Sequence, residues 1–262
     1  MQAIEKILLP DPSGVLSLTG GGGKTSLMFH LARLLVQSGK KVLTTTTTKI
    51  LVPTTEQSET VLVAADPATI LSQAAPLLSA SRQITAAAAL MDDGVKLKGF
   101  APEAIRTFTG SGLFDWILVE ADGAAKRPLK APAGHEPVIP SGTTVLVAVA
   151  GLEVVGEPLS EELVFRSGLA GQLMDLSDGE TITVAALARL LAHPSGAFKD
   201  APPRARRFIF LNKADTPLRR AAGAEIAGLL GRDPCPVAES VIVGQALDGI
   251  RIHGEHRLGM LP

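Results

Sequence analysis

Four consecutive glycines, Gly20 to Gly23, stand between an apolar run and Lys24-Thr25-Ser26, and no other stretch constrains the chain as much. Val15-Leu16-Ser17-Leu18-Thr19 reads as a buried strand. Ser26 to Ser38 carries Leu27, Leu31, Leu34 and Leu35 at helical spacing, and Gly39 ends that helix. A glycine turn between strand and helix adopts backbone angles that a Cβ forbids and lets an anion approach the main chain. Its amides form an anion nest, and the helix aims its positive end at the same point. The expected phosphate cradle is therefore Gly20, Gly21, Gly22, Gly23, Lys24, Thr25 and Ser26. Lys24 would reach the terminal phosphates as a catalytic group, and the Thr25 hydroxyl would hold Mg2+.

The spacing departs from the strict pattern, which wants glycine five residues before Gly23, where this chain has Leu18. Thr19-Gly20-x-x-Gly23-Lys24-Thr25 resembles the loop of the Mur-type ligases as much as a standard Walker A loop. Downstream, Lys41-Val42-Leu43 opens a second strand that runs into five threonines, Thr44 to Thr48. Ligands collect at the carboxyl ends of strands in open α/β sheets, so the later threonines are candidates to face the terminal phosphate or the metal.

A second anchor is Asp115 to Gly123, an apolar strand that ends in Glu120 and Asp122. A strand repeats every two residues, so both carboxylates share one side. That is where Mg2+ needs an acidic ligand, direct or through water; the choice between Glu120 and Asp122 stays open, and Asp122 is also a candidate catalytic residue. The basic, proline-rich connector that follows offers Lys126, Arg127, Lys130, His135 and Glu136 as candidates for contact with substrate or partner.

Further on, Thr144 to Val149 is a continuous apolar strand of the kind a parallel sheet buries, and 160–192 holds two expected helices. Arg204 to Arg207 reads as a solvated edge before the strand Phe208-Ile209-Phe210-Leu211. That strand leads into Asn212-Lys213-Ala214-Asp215, which resembles the guanine-reading motif of GTPases and makes Asn212, Lys213 and Asp215 candidates for the nucleotide base. Leu218 to Leu230 is the helix expected next, Ser240 to Val243 the last strand, and 244–262 a tail that folds back. Residues 54–114 are less regular. They hold a short strand at Thr60 to Val63, a helix from Pro67 to Leu78, a hairpin turning at Asp92-Asp93-Gly94 and a short helix from Pro102 to Phe108, and read as an insertion within a single domain spanning 1–262.

Composition removes several alternatives. Aromatic residues make up 3% of the 262-residue chain and tyrosine is absent, which argues against a base-stacking nucleic-acid surface. The formal net charge is −1, without the basic footprint of a DNA or RNA binder. The one cysteine, Cys235, excludes an internal disulfide framework and reads as a free thiol of a reducing compartment. The N-terminal residues lack the apolar run of a signal peptide, and Val145 to Val155 is too short and too interrupted to span a bilayer. The expectation is a cytoplasmic protein without a membrane partner.

The loop Gly20 to Thr25, the threonine run, Glu120-Ala121-Asp122-Gly123, Pro128-Leu129-Lys130-Ala131-Pro132 and His135 to Pro140 together resemble the YqeC-like family of accessory proteins for selenium-dependent molybdenum hydroxylases. The resemblance runs from about residue 5 to 245. It implies a P-loop NTPase tied to maturation of such hydroxylases, with the hydroxylase or its maturation proteins as partner. The fold expected is α/β: a P-loop NTPase-like three-layer sandwich with a mainly parallel sheet and an inserted αβ segment. The function expected is Mg2+-dependent binding and hydrolysis of a nucleotide, GTP before ATP. A kinase or ligase acting on a small molecule, and a non-hydrolysing nucleotide-binding module, are the alternatives.

Overall fold

The structure is a computed structural model that describes residues 4–91, 94–233 and 237–259. The expected turn at Asp92-Asp93 and the thiol of Cys235 lie outside the described residues. The chain alternates strand and helix around a large sheet. The main-sheet strands are β1 (Gly14–Gly20), β2 (Val42–Thr46), β4 (Val61–Val63), β5 (Gln83–Ala87), β8 (Trp116–Glu120), β10 (Val145–Gly151), β12 (Arg206–Asn212), β13 (Ser240–Gln245) and β14 (Arg251–Arg257). Three short strands, β3 (Lys49–Leu51), β6 (Ala89–Leu90) and β7 (Lys96–Lys98), form a satellite sheet, and β9 (Leu129–Lys130) pairs with β11 (Val164–Phe165).

The main sheet has the order β14-β13-β12-β10-β1-β8-β2-β5-β4, parallel throughout except for β14. The glycine-loop strand β1 is central, and β8 lies between it and β2, with Leu18 in register with Glu120. The acidic strand end therefore stands directly beside the glycine loop.

Strand alternation builds the layers. Along β8, Trp116 and Leu118 point to one face while Ile117 and Val119 point to the other, each joining a different apolar cluster. Phe208 and Phe210 on β12 join the first face, and Ile209 and Leu211 the second. The first face is covered by α1 (Ile4–Leu8) and α2 (Lys24–Gln37), through Leu27, Leu31 and Leu35. The second is covered at one end by α3 (Pro67–Leu77) and α4 (Ile105–Gly110). At the other end it is covered by α5 (Ser167–Met174), α6 (Val184–Ala192) and α7 (Pro217–Leu230). The result is a three-layer α/β sandwich, helix on sheet on helix, with the glycine loop at the end of its central strand.

Several segments differ from the sequence reading. Within 54–114, β4 and β5 pair parallel with one another, and β5 with β2, in the main sheet; the satellite strands stand off it. Arg206 and Arg207, expected at a solvated edge, open β12, and Arg206 forms an ion pair with Glu239 at 2.7 Å. The tail does fold back, as expected, and forms β14, antiparallel to β13. Among the described residues no helix is long and apolar enough to cross a membrane.

Candidate nucleotide and metal site

Three of the four glycines, Gly20, Gly22 and Gly23, have positive φ, at 91°, 77° and 121°. Space also demands glycine here. A Cβ on Gly22 would stand 2.6 Å from the Pro128 carbonyl oxygen and 2.7 Å from the Gly151 nitrogen. The loop is thus wedged between the end of β10 and the connector after β8. The Gly21 and Gly22 amides donate to the Val149 and Arg127 carbonyls, at 2.9 and 3.0 Å. The first-turn amides of α2, at Lys24, Thr25 and Ser26, have no main-chain acceptor among the described residues, as a helix start leaves them. They are the donors that an anion would meet.

The side chains around this turn form a buried charged cluster. Lys24 Nζ donates to the Gly20 carbonyl at 2.6 Å and ion-pairs with Asp122 Oδ1 at 3.1 Å and Glu120 Oε1 at 3.6 Å. Thr25 Oγ1 donates to Glu120 Oε2 at 2.6 Å, and the Gly20 amide donates to Asp122 Oδ2 at 3.0 Å. Burial alone would pull the Lys24 ammonium pKa down, but Asp122 and Glu120 outweigh it, and the net shift is upward. Burial pushes the Glu120 carboxyl up, against the pull of Lys24 and Thr25. Both expected acids therefore meet the loop, and Thr25 sits on Glu120.

This donor set fits Mg2+. The ion takes hard oxygen ligands, one or two carboxylates at most, and fills the rest of its octahedron with water and phosphate oxygens. Thr25, Glu120 and Asp122 offer a hydroxyl and two carboxylates at one point. No group of three or more acidic, histidine or cysteine side chains that could hold a metal alone occurs among the described residues.

The connector residues divide. Lys130 and Glu136, expected to contact a substrate or partner, are buried instead in the same network. Lys130 Nζ reaches Asp122 Oδ2 at 3.1 Å, Glu136 Oε2 at 2.6 Å and the Gly123 carbonyl at 2.7 Å. Arg166, which sequence reading missed, holds the same Glu136 oxygen. Burial would raise the Glu136 carboxyl, but hydrogen bonds from Arg166 and Lys130 hold it down to about 2. Arg127 donates to the Glu161 carbonyl and lies 5.9 Å from the Phe165 ring. Lys126 and His135 are exposed. Lys199, also missed, clamps the loop around His135 by donating to the Gly134 and Glu136 carbonyls at 2.9 and 2.6 Å. Neither Arg166 nor Lys199 has a sequence signal; each lies thirty or more residues from its partner.

The threonines are structural in large part. The hydroxyls of Thr44, Thr45 and Thr46 are buried and bond to Thr85, the Ala86 carbonyl and the Glu120 carbonyl. They tie β2 to its neighbours β5 and β8. Thr47 donates to the Val138 carbonyl at 2.6 Å.

Asn212 stands beside the loop. Its Nδ2 donates to the Gly22 carbonyl at 2.7 Å, while its buried Oδ1 has no partner. Lys213 ion-pairs with Glu153, and Asp215, half-exposed, pairs with Arg219 at 3.3 Å. The tetrapeptide therefore lies two strands from β1, on the side away from β8.

FtsY from Mycoplasma mycoides aligns over 92% of this chain and 63% of its own, at 14% identity and a TM-score of 0.42. A second crystal form of the same protein gives a TM-score of 0.38. The uncharacterized protein YqeC of Escherichia coli (strain K12) is 39% identical over 201 residues, 76% of this chain and 75% of that protein. The family model described as YqeC protein matches residues 16–168, which hold the glycine loop, both acids and the Lys130–Glu136–Arg166 network, and the chain belongs to the YqeC family.

Proposed function

We propose that the chain binds Mg2+ and a nucleotide, GTP in preference to ATP, hydrolyses it, and serves the maturation of selenium-dependent molybdenum hydroxylases. The observation that carries the nucleotide reading is the convergence of Lys24, Thr25, Glu120 and Asp122 beside free helix-start amides. The preference for GTP rests on Asn212-Lys213-Ala214-Asp215, whose asparagine touches the loop. The maturation role rests on the family resemblance.

When bound, Mg2+ and nucleotide supply the polarised terminal phosphoryl bond. The chain's own residues hold and neutralise it. Lys24 would hold terminal phosphate oxygens, and Thr25, Glu120 and Asp122 would hold the cation, which would supply charge neutralisation at the phosphates. Lys130, paired with Asp122, would keep that carboxylate in place. Asn212 keeps the loop in shape through the Gly22 carbonyl.

Calorimetric titration with GTP and with ATP, each with Mg2+, tests this against Lys24→Ala. GTP preference that disappears in the variant is the expected result, each tenfold being about 1.4 kcal/mol. Preference for ATP would remove the base assignment and keep the loop; no binding of either would remove both. A kinase or ligase reading has its own support, a second cleft that reaches Gly123, next to the acidic strand end. Nucleoside diphosphate release that depends on an added small molecule would favour it over hydrolysis. Tight binding without turnover would favour the non-hydrolysing module.

A further inference from the structure

Strand β8 separates two concave sites at the carboxyl edge of the sheet. On the β1 side lies the glycine loop. On the β2 side opens a cleft of about 840 Å3 whose lining includes Thr47, Lys49, Lys98, Phe100, His135 and Phe165, with Gly123 between it and the acidic strand end. The glycine loop and its charged cluster do not account for this cleft.

Its charge is one-sided. Lys49 and Lys98 are exposed and have no acidic partner among the described residues. They sit directly opposite one another in the β3–β7 pair, a placement that is destabilising for like charges. The acid that lines the cleft, Glu136, already has Lys130 and Arg166 as counter-charges. The rest of the lining is mostly alanine, glycine and phenylalanine, broken by Thr47, Thr48 and His135, with Phe100 edge-on against Phe108 at 5.2 Å. The walls are also held in place. The Phe100 and Gly99 amides donate to the Thr46 and Thr48 carbonyls, at 3.0 and 2.8 Å, and Lys199 clamps the loop that carries His135. Two unpaired, facing cations on a rigid, partly aromatic wall are a built anion site.

We propose that this cleft binds a small organic anion with a flat apolar body, a phosphate monoester or a carboxylate, its charged end on Lys49 and Lys98. The reading of the glycine loop as a nucleotide site adds a direction, and only that part rests on it. With the base on the Asp215 side, the terminal phosphate points across β1 toward β8, so the anion lies next to the reacting end of the nucleotide.

Calorimetric titration of the full chain with phenyl phosphate, benzoate and benzyl alcohol tests the proposal. The proteins compared are the wild type, Lys24→Ala and the double variant Lys49→Gln/Lys98→Gln. Saturable binding of at least one anion is expected in the wild type and in Lys24→Ala. In the double variant it should be about tenfold weaker or more, and benzyl alcohol should bind about tenfold more weakly than the preferred anion. Tighter phenyl phosphate identifies a phosphate monoester, and tighter benzoate a carboxylate. The proposal is overturned if neither anion saturates below about 20 mM, if the double variant binds as the wild type does, or if Lys24→Ala abolishes binding. Failure of the nucleotide reading registers separately, as absent heat with GTP and ATP. Unchanged or raised thermal stability of the double variant shows that it folds.

Discussion

Lys130 Nζ lies 3.1 Å from Asp122 Oδ2, on the opposite carboxylate oxygen from the one that Lys24 reaches, and the Lys130 side chain is 1% exposed. Asp122 is therefore gripped by two lysines, one that follows the glycine loop and one from the connector. A buried ion pair gains little over an apolar pair, but removal of one partner leaves a desolvated charge uncompensated. Lys130 serves two carboxylates, Asp122 and Glu136, so its loss strands more than one.

Lys130→Met should cost about 3–5 kcal/mol of stability, read by urea denaturation. A double variant, Lys130→Met with Asp122→Asn, should recover part of that loss because it removes one of the stranded charges. Equal stability of wild type and Lys130→Met would show that the network is not a unit.

Acid should act through Glu136. Its carboxyl is held down to about 2 in the fold, against an ordinary value of 4.5. A depressed acid contributes stability that is complete above the ordinary value and lost as pH falls toward the folded one. The stability gap between wild type and Glu136→Gln should therefore be full at pH 6–7 and narrow between pH 4.5 and 2, measured by thermal melts. Glu120 and Lys24 have the opposite sign. Burial raises the Glu120 carboxyl, so its contribution declines as pH rises above 4.5. Lys24, raised from 10.5, contributes below that value and loses its contribution at the alkaline end. A gap that stays constant down to pH 2 would contradict the Glu136 assignment.

The two ends of Asn212-Lys213-Ala214-Asp215 should separate. Asn212→Ala removes the bond to the Gly22 carbonyl, so GTP and ATP should both bind about fivefold to tenfold more weakly, a loss of about 1 kcal/mol or slightly more. Asp215→Asn leaves the loop alone and should shift preference from guanine toward xanthine nucleotides. Calorimetry with the three nucleotides reads both effects, and an unchanged base preference in the Asp215 variant would remove the guanine assignment.

The glycine loop was legible because glycine is the residue that tolerates the positive φ of Gly20, Gly22 and Gly23, and because the strand and helix on either side have distinct periods. Glu120 and Asp122 were legible for a similar reason: alternation along a strand puts them on one side. The threonine run was only partly legible, because a row of hydroxyls reads alike whether it meets a phosphate or a neighbouring strand. Thr44, Thr45 and Thr46 meet β5 and β8, partners chosen by strand order. The same order brought β4 and β5 into the main sheet.

By itself the sequence determined an α/β chain with a glycine loop between strand and helix, an acidic strand end and Asn212 to Asp215 at another strand end, since each is a local pattern of backbone freedom, period and side-chain type. Only the tertiary structure decided that β8 lies between β1 and β2, that Lys130 and Arg166 close on Glu136, and that Lys49 and Lys98 stand side by side on one wall of a cleft. Those relationships join residues many positions apart. They are fixed by which strands pair and which charges burial forces together, and neither is written in the neighbourhood of any one residue.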